Sequence, residues 1–105
     1  MVEKVTDESF ELFISSNPAV VVVDCYADWC GPCKMMGPVI DALSEEYNGK
    51  IVFGKLNVDE NRTITAKYNI MSIPTLFIFK DKTLVETVVG AVSKEQLKEK
   101  LGKYL

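Results

Sequence analysis

Two cysteines separated by two residues are the feature of this sequence with the clearest chemical potential. Cys30 and Cys33 stand in the stretch Trp-Cys-Gly-Pro-Cys-Lys, residues 29–34. Residues three apart lie on the same side of a helical turn, so the two thiols are close enough to form a disulfide. The ring that they close is very small, and a disulfide stabilises a fold less when it closes a shorter loop. The pair is therefore better suited to reversible redox chemistry than to holding the chain together.

The cysteine pair falls between a predicted strand and a predicted helix. Residues 20–27 form an almost continuously apolar run, which is typical of a central strand covered on both faces. After the pair, apolar residues recur at helical spacing from Val39 to Tyr47. Unpaired N–H groups and the helix dipole favour a thiolate at the start of a helix. Cys30 is therefore the predicted nucleophile, and Cys33, one turn further on, is expected to be more buried.

The composition limits the classes of protein that this chain can belong to. Its 105 residues are 48% hydrophobic and carry a net charge of −3, which suits one compact domain with a hydrophobic core. The chain has no histidine, which excludes Cys-His and Ser-His-Asp catalysis. Three cysteines are fewer ligands than a structural zinc site uses. The chain lacks a basic stripe, so nucleic acid is not an expected partner.

The N-terminal residues and the longest apolar run predict the cellular location of the protein. Residues 1–10 mix charged and polar side chains, unlike a secretory signal. The longest apolar run is far shorter than the ~20 residues of a membrane span. We therefore expect a soluble, cytoplasmic protein that does not bind membranes.

The rest of the chain predicts alternating helices and strands. A first helix follows the capping residue Thr6 and ends at Asn17-Pro18. The helix after the cysteines should be kinked by Pro38 and end at Asn48-Gly49. Ser93 and Gln96 form a capping box that opens the last helix. The remaining predictions are strands at 51–58, 75–79 and 84–89 and a short helix at 61–68.

The predicted order is helix, strand, helix, strand, helix, two strands and helix. Strands separated by helices predict parallel pairing, and the hairpin around residues 80–82 predicts antiparallel pairing. The fold class is therefore α/β, with a mixed sheet covered by helices on both faces.

Five stretches of the sequence carry a resemblance to a known family: residues 21–24 (VVVD), 27–34 (ADWCGPCK), 55–59 (KLNVD), 73–75 (IPT) and 89–91 (VGA). Through these stretches the sequence resembles the thioredoxin family over essentially its whole length. Gly-Pro between the cysteines, with Trp before, Lys after and a later Ile-Pro-Thr, is highly specific in combination. The resemblance implies a single thioredoxin domain over residues 1–105, with a central sheet of about four to five strands flanked by about four helices.

The resemblance implies a thiol–disulfide oxidoreductase that reduces protein disulfides without a bound cofactor. In the family mechanism, the thiolate of Cys30 attacks a target disulfide and Cys33 then resolves the mixed disulfide. Asp24 is implied to be a buried acid beneath Cys33 that accepts its proton, with Lys55 as its electrostatic neighbour. From the residues alone, Asp24 fits a solvated strand end equally well, and Lys55 fits an ordinary surface lysine.

The resemblance also implies a docking face for an extended segment of the target protein. Pro74 corresponds to the family's cis proline, which holds Ile73 against the target by strand-like hydrogen bonds. From the residues alone, Trp29 also fits a core position, and Gly90 a simple turn. The remaining implied members of the face are Gly31, Pro32 and Ala91.

The family further implies a monomer that is reduced by a flavin-containing, NADPH-dependent thioredoxin reductase. Three positions depart from the family's pattern: Cys25 replaces a common Phe, Tyr26 a common Trp, and Lys82 a Gly of the hairpin. We interpret the first two as packing changes, and the turn type at Asp81-Lys82 stays open.

Two other functions are compatible with the residues. The first is a binding module of the same fold in which the redox pair is incidental. The second is a metal or iron–sulfur protein that uses the cysteine pair across a dimer, although nothing in the sequence favours it.

Overall fold

The computed structural model describes residues 1–17 and 19–105 and contains nine helices and strands within them. The first helix ends at Ser16, and Pro18, part of its predicted stop, lies outside the described residues. The predicted order is confirmed with one addition, the first strand, whose three residues are too few to show a periodic pattern. The elements are β1 (Val2–Lys4), α1 (Phe10–Ser16), β2 (Val20–Tyr26), α2 (Gly31–Glu46), β3 (Ile51–Asn57), α3 (Arg62–Lys67), β4 (Thr75–Lys80), β5 (Thr83–Val89) and α4 (Lys94–Gly102).

The strands of the described residues form one mixed sheet in the order β1-β3-β2-β4-β5. β3 pairs in parallel with β1 and β2, whereas β4 is antiparallel to β2 and β5. The prediction of a mixed α/β sheet is therefore confirmed. β2 lies at its centre, and residues 20–25 are all buried, as their apolar run predicts.

Alternate residues of β2 contribute to two separate cores, one on each face of the sheet. Val20 and Val22 pack with residues of α2 and α4, including Met36. Val21 and Val23 pack with residues of α1 and α3. Because side chains alternate along a strand, Asp24 belongs to the first face and Cys25 to the second.

Contacts around α1 correct the predicted cap of this helix and show that Asp7, which precedes it, caps a different helix. The N-cap position of α1 is occupied by Ser9 rather than Thr6, and the Ser9 side chain makes no capping hydrogen bond to that helix. Thr6 instead closes a local turn with Ser9, in which the backbone N–H of each residue donates to the hydroxyl of the other. The Asp7 carboxylate accepts hydrogen bonds from the N–H groups of Thr63 and Ile64, so it caps the start of α3.

One helix cap was predicted and one turn type was left open in the last quarter of the chain. Ser93 and Gln96 form both hydrogen bonds of the predicted capping box at the start of α4. In the β4–β5 hairpin, Asp81 and Lys82 have φ angles of 50° and 70°. Positive φ at both central residues identifies a type I′ turn, which fits the twist of a hairpin.

Candidate active site

The cysteine pair lies beyond the carboxyl end of β2, at the amino terminus of α2. Cys30 is the N-cap residue of this 16-residue helix and forms a disulfide with Cys33. The backbone N–H of Cys33 donates to Cys30 Sγ at 3.2 Å. This N–H group and the positive end of the helix dipole stabilise negative charge on Cys30 Sγ. The predicted helix-start environment of Cys30 is therefore present.

The expected difference in burial between the two cysteines is wrong. Cys30 is 4% exposed and Cys33 is 5% exposed. Cys30 is covered because it lies beneath the segment before β4, with its Sγ 3.8 Å from the carbonyl oxygen of Ile73. The two cysteines are thus almost equally exposed. What distinguishes them is their position, because Cys30 is the N-cap of α2 and Cys33 lies within its first turn.

Asp24 is the buried acid of the site. It is 5% exposed, and within the described part of the chain its Oδ1 has no hydrogen-bond partner. Burial raises the pKa of Asp24 from 3.8 to about 7, an effect that Lys55 partly offsets. A solvated strand end is thereby excluded, and Asp24 is an acid that changes protonation near neutral pH.

Asp24 and Cys33 line the same surface cavity, which has a volume of about 220 Å³. Asp24 reaches it because even-numbered residues of β2 point towards the α2 side of the sheet. The cavity is large enough to hold water between polar groups. The side chains of Asp24 and Cys33 therefore border the same space, which is open to solvent. The other lining residues are Tyr26, Ala27, Asp28, Lys34, Gly37 and Lys55.

A second backbone segment approaches the disulfide from the sheet side. The Ile73–Pro74 peptide bond is cis, as the resemblance implies. The carbonyl oxygen of Pro74 accepts a hydrogen bond of 2.8 Å from the N–H of Gly90. Gly90 has a φ of +93°, a conformation that favours glycine. The 73–74 and 90–91 segments are therefore joined directly beside Cys30.

The implied docking residues border the disulfide, and most of them reach solvent. Trp29 is 71% exposed, which excludes the core position that the sequence left open. Its indole Nε1 donates to Asp59 Oδ2 at 2.8 Å, which fixes the ring at the surface. Gly31, Pro32 and Ala91 are exposed like Trp29, whereas Ile73 and Gly90 are half-buried and Pro74 is buried.

Sequence reasoning missed three residues that surround this face. Asp59 follows β3 as Trp29 follows β2, and the carboxyl ends of paired parallel strands meet at one edge of a sheet. That rule was the available signal for Asp59. Met71 and Val89 are 85% and 63% exposed and extend the apolar surface next to residues 73 and 90. The available signal was their position in the sequence, since Met71 lies two residues before Ile73 and Val89 directly precedes Gly90.

Cys25 is separated from the redox pair by the sheet itself. It is fully buried in the core between the sheet and helices α1 and α3. Burial, and secondarily the charge of Asp24, raise the pKa of the Cys25 thiol well above its ordinary value. Cys25 is therefore a packing residue, as predicted.

Two further findings concern residues 1–17 and 19–105. They contain no group of three or more His, Cys, Asp or Glu side chains arranged to hold a metal ion. No helix among them is both long enough and apolar enough to span a bilayer.

The chain is similar to known thioredoxins over nearly its whole length. The family model described as Thioredoxin matches residues 1–103. The Thioredoxin of Porphyra purpurea is 51% identical over 104 residues, covering 99% of this chain and 97% of that protein. The Thioredoxin of Staphylococcus epidermidis is 52% identical over 102 residues, covering 97% of this chain and 96% of that protein. The "Thioredoxin M-type, chloroplastic" of Spinacia oleracea is 47% identical over 104 residues, covering 99% of this chain and 58% of that protein.

Proposed function

Because the chain belongs to the thioredoxin family of thiol–disulfide oxidoreductases, we propose that it reduces target-protein disulfides through Cys30 and Cys33. The observation that carries this proposal is the placement of the pair. Cys30 caps α2 and accepts an N–H hydrogen bond, while Cys33 shares a cavity with a buried acid. The first environment favours a thiolate, and the second offers a proton acceptor.

The proposed reaction begins with the reduced pair. The Cys30 thiolate attacks one sulfur of the target disulfide, and the other target sulfur leaves as a thiolate that takes up a proton. A mixed disulfide then joins Cys30 to the target. The Cys33 thiolate attacks Cys30 Sγ and releases the second target thiolate. Two electrons have passed to the target, and the protein holds the Cys30–Cys33 disulfide.

Asp24 is the proposed proton acceptor for Cys33 in the second step. Its pKa of about 7 leaves a substantial ionised fraction at neutral pH, and its carboxylate opens into the cavity that Cys33 also lines. A water in that cavity is the proposed path for the proton between the two side chains. Lys55 lowers the pKa of Asp24 and so keeps more of the carboxylate ionised.

The target segment is proposed to dock in extended form across the surface around the disulfide. Ile73 presents its backbone beside Cys30, and the exposed Trp29 directly precedes the pair in the chain. Backbone hydrogen bonds to an extended segment give affinity that depends little on target sequence. The face comprises Trp29, Gly31, Pro32, Ile73, Pro74, Gly90 and Ala91.

The electrons are proposed to come from an NADPH-dependent flavoprotein, thioredoxin reductase, with no cofactor bound to this chain. We further propose that residues 1–105 act as one domain, as a monomer, in the cytoplasm. Oxidation of NADPH in the presence of a thioredoxin reductase and the oxidised protein tests the first of these points. A family relative is described as chloroplastic, so fluorescence microscopy of a tagged protein tests the location.

Catalysis of insulin disulfide reduction by dithiothreitol tests the proposed function. The protein should accelerate the appearance of insulin turbidity, and Cys30→Ser should abolish the acceleration. A folded wild-type protein without activity would favour the binding-module alternative instead. Circular dichroism of both proteins ensures that loss of activity is not loss of fold.

A further inference from the structure

The docking face is connected to helix α2 by a hydrogen bond from a backbone N–H to a methionine sulfur. Met36 follows Cys33 by one helical turn and is 1% exposed. Its Sδ accepts a hydrogen bond from the backbone N–H of Val92 at 3.5 Å. Val92 directly follows the Gly90-Ala91 segment and packs against the same core as Met36. A core methionine therefore contacts the backbone of a loop that borders the site.

This contact completes a closed series of contacts that begins at Cys30 and returns to α2. On one side, Cys30 Sγ lies 3.8 Å from the Ile73 oxygen, and the Gly90 N–H donates to the Pro74 oxygen. On the other side, the Val92 N–H returns to α2 through Met36. The 90–91 segment is thus held at both ends: the segment before β4 holds its start, and helix α2 holds its end.

The chemistry of residue 36 determines whether the second attachment exists. The neighbouring N–H of Ser93 is already bound to Gln96 Oε1, so it does not compete for the sulfur. A leucine would fill a similar volume but offers no acceptor. The partly buried Val92 N–H would then lose its acceptor. A buried donor without a partner destabilises the protein, because its desolvation is no longer compensated by a hydrogen bond. The loop would have to move to bring that N–H to water.

We propose that Met36 is a positioning residue that fixes the Gly90-Ala91 part of the docking face relative to Cys30. The proposal rests on the proposed function, because it assumes that a target segment docks on this face. Met36 does not touch the reacting sulfurs, so its effect should fall on extended protein targets. A small disulfide that reaches Cys30 without covering residues 90–91 should react normally.

Met36→Leu provides the test, with Ile40→Leu as its matched control. Ile40 lies one turn further along α2 in the same core and is 2% exposed, and its side chain has no sulfur or other hydrogen-bond acceptor. The fully reduced variants are mixed with insulin and, separately, with 5,5′-dithiobis(2-nitrobenzoate). The second-order rate constants are compared with those of the wild type. Amide hydrogen exchange at Val92 is measured by NMR on the same proteins.

Met36→Leu should lower the rate constant with insulin about threefold, the scale of one lost hydrogen bond. The rate constant with the small disulfide should not change, and exchange of the Val92 N–H should be faster. Ile40→Leu should leave all three quantities at their wild-type values. An unchanged insulin rate in Met36→Leu, or an equal loss in Ile40→Leu, would overturn the positioning role. Failure of the wild type to reduce either disulfide would instead overturn the proposed function.

Discussion

Asp24 and Lys55 occupy paired positions of the neighbouring parallel strands β2 and β3, yet only Lys55 is exposed. Asp24 is 5% exposed, and one oxygen of its carboxyl group has no hydrogen-bond partner in the described part of the chain. Burial therefore outweighs the attraction of the lysine, and the pKa of Asp24 rises to about 7. This balance has consequences for both stability and catalysis.

Asp24→Asn should stabilise the protein at pH 8 by about 2 to 4 kcal/mol and by much less at pH 4. The folded state keeps the Asp24 proton up to about pH 7, whereas the unfolded chain loses it near 3.8. The unfolded state thus binds fewer protons between these values, and wild-type stability falls as pH rises through this window. The expected gain in stability is smaller than the full free energy that corresponds to the pKa shift. The reason is that the buried side-chain amide of the asparagine also lacks hydrogen-bond partners.

Urea denaturation of the oxidised proteins at pH 4, 6 and 8 measures this difference. Glu45→Gln, which neutralises an exposed carboxylate of α2, should change stability by less than about 0.5 kcal/mol at each pH. An equal gain for Asp24→Asn at pH 4 and pH 8 would show that the carboxyl does not titrate as described.

Asp24→Asn should slow resolution of the mixed disulfide about tenfold or more at pH 7, with the first attack little changed. The variant lacks the acceptor for the Cys33 proton but keeps the helix-start environment of Cys30. The defect should shrink as pH rises, because Cys33 then ionises without help. Stopped-flow fluorescence of Trp29 across pH 6 to 9 separates the two steps.

Lys55→Met is the informative comparison for this kinetic experiment. It retains the Asp24 carboxyl but removes the charge that lowers its pKa, so the pH profile of resolution should move to higher pH. Wild-type kinetics for Asp24→Asn at every pH would show that this residue has no catalytic role.

Brief iodoacetamide treatment of the reduced protein at pH 7 should label Cys30 first. The reason is the thiolate-stabilising N–H of Cys33, since the two cysteines are equally covered in the oxidised structure. Cys25 should stay unlabelled because it is fully buried and burial raises its pKa. Peptide mapping measures the three sites, with denatured protein as the control that labels all of them. Early labelling of Cys33 would contradict the helix-start explanation, and labelling of Cys25 would contradict its core position.

Local sequence patterns predict most of the fold because the long elements have strong periodicity. The apolar run of β2 and the capping box of α4 are both confirmed. β1 was missed because its three residues are placed by pairing with β3, which leaves no local signal. The cap at Ser9 was assigned to Thr6 because both residues are suitable and only the folded turn distinguishes them.

The candidate site is less accessible to sequence reasoning, since it depends on segments that meet only in the fold. The cysteine spacing and its position between a predicted strand and a predicted helix indicate the redox pair, and the resemblance supplies Asp24 and Pro74. The bond between Trp29 and Asp59 and the contact of Met36 with Val92 join residues 30 and 56 positions apart. The expected difference in burial between Cys30 and Cys33 failed for the same reason, because the covering Ile73 segment is distant in sequence.

Trapping of a mixed disulfide tests the central claim most directly. Cys33→Ser is reduced, mixed with a disulfide-bonded target protein, and analysed by intact mass and peptide mapping, with Cys30→Ser treated in parallel. Without the resolving thiol the mixed disulfide has no fast exit, so Cys33→Ser should accumulate a dithiothreitol-sensitive adduct on Cys30, and Cys30→Ser should accumulate none. Equal adducts in both variants, or an adduct on Cys33 alone, would contradict the assignment of Cys30 as nucleophile and Cys33 as resolving thiol.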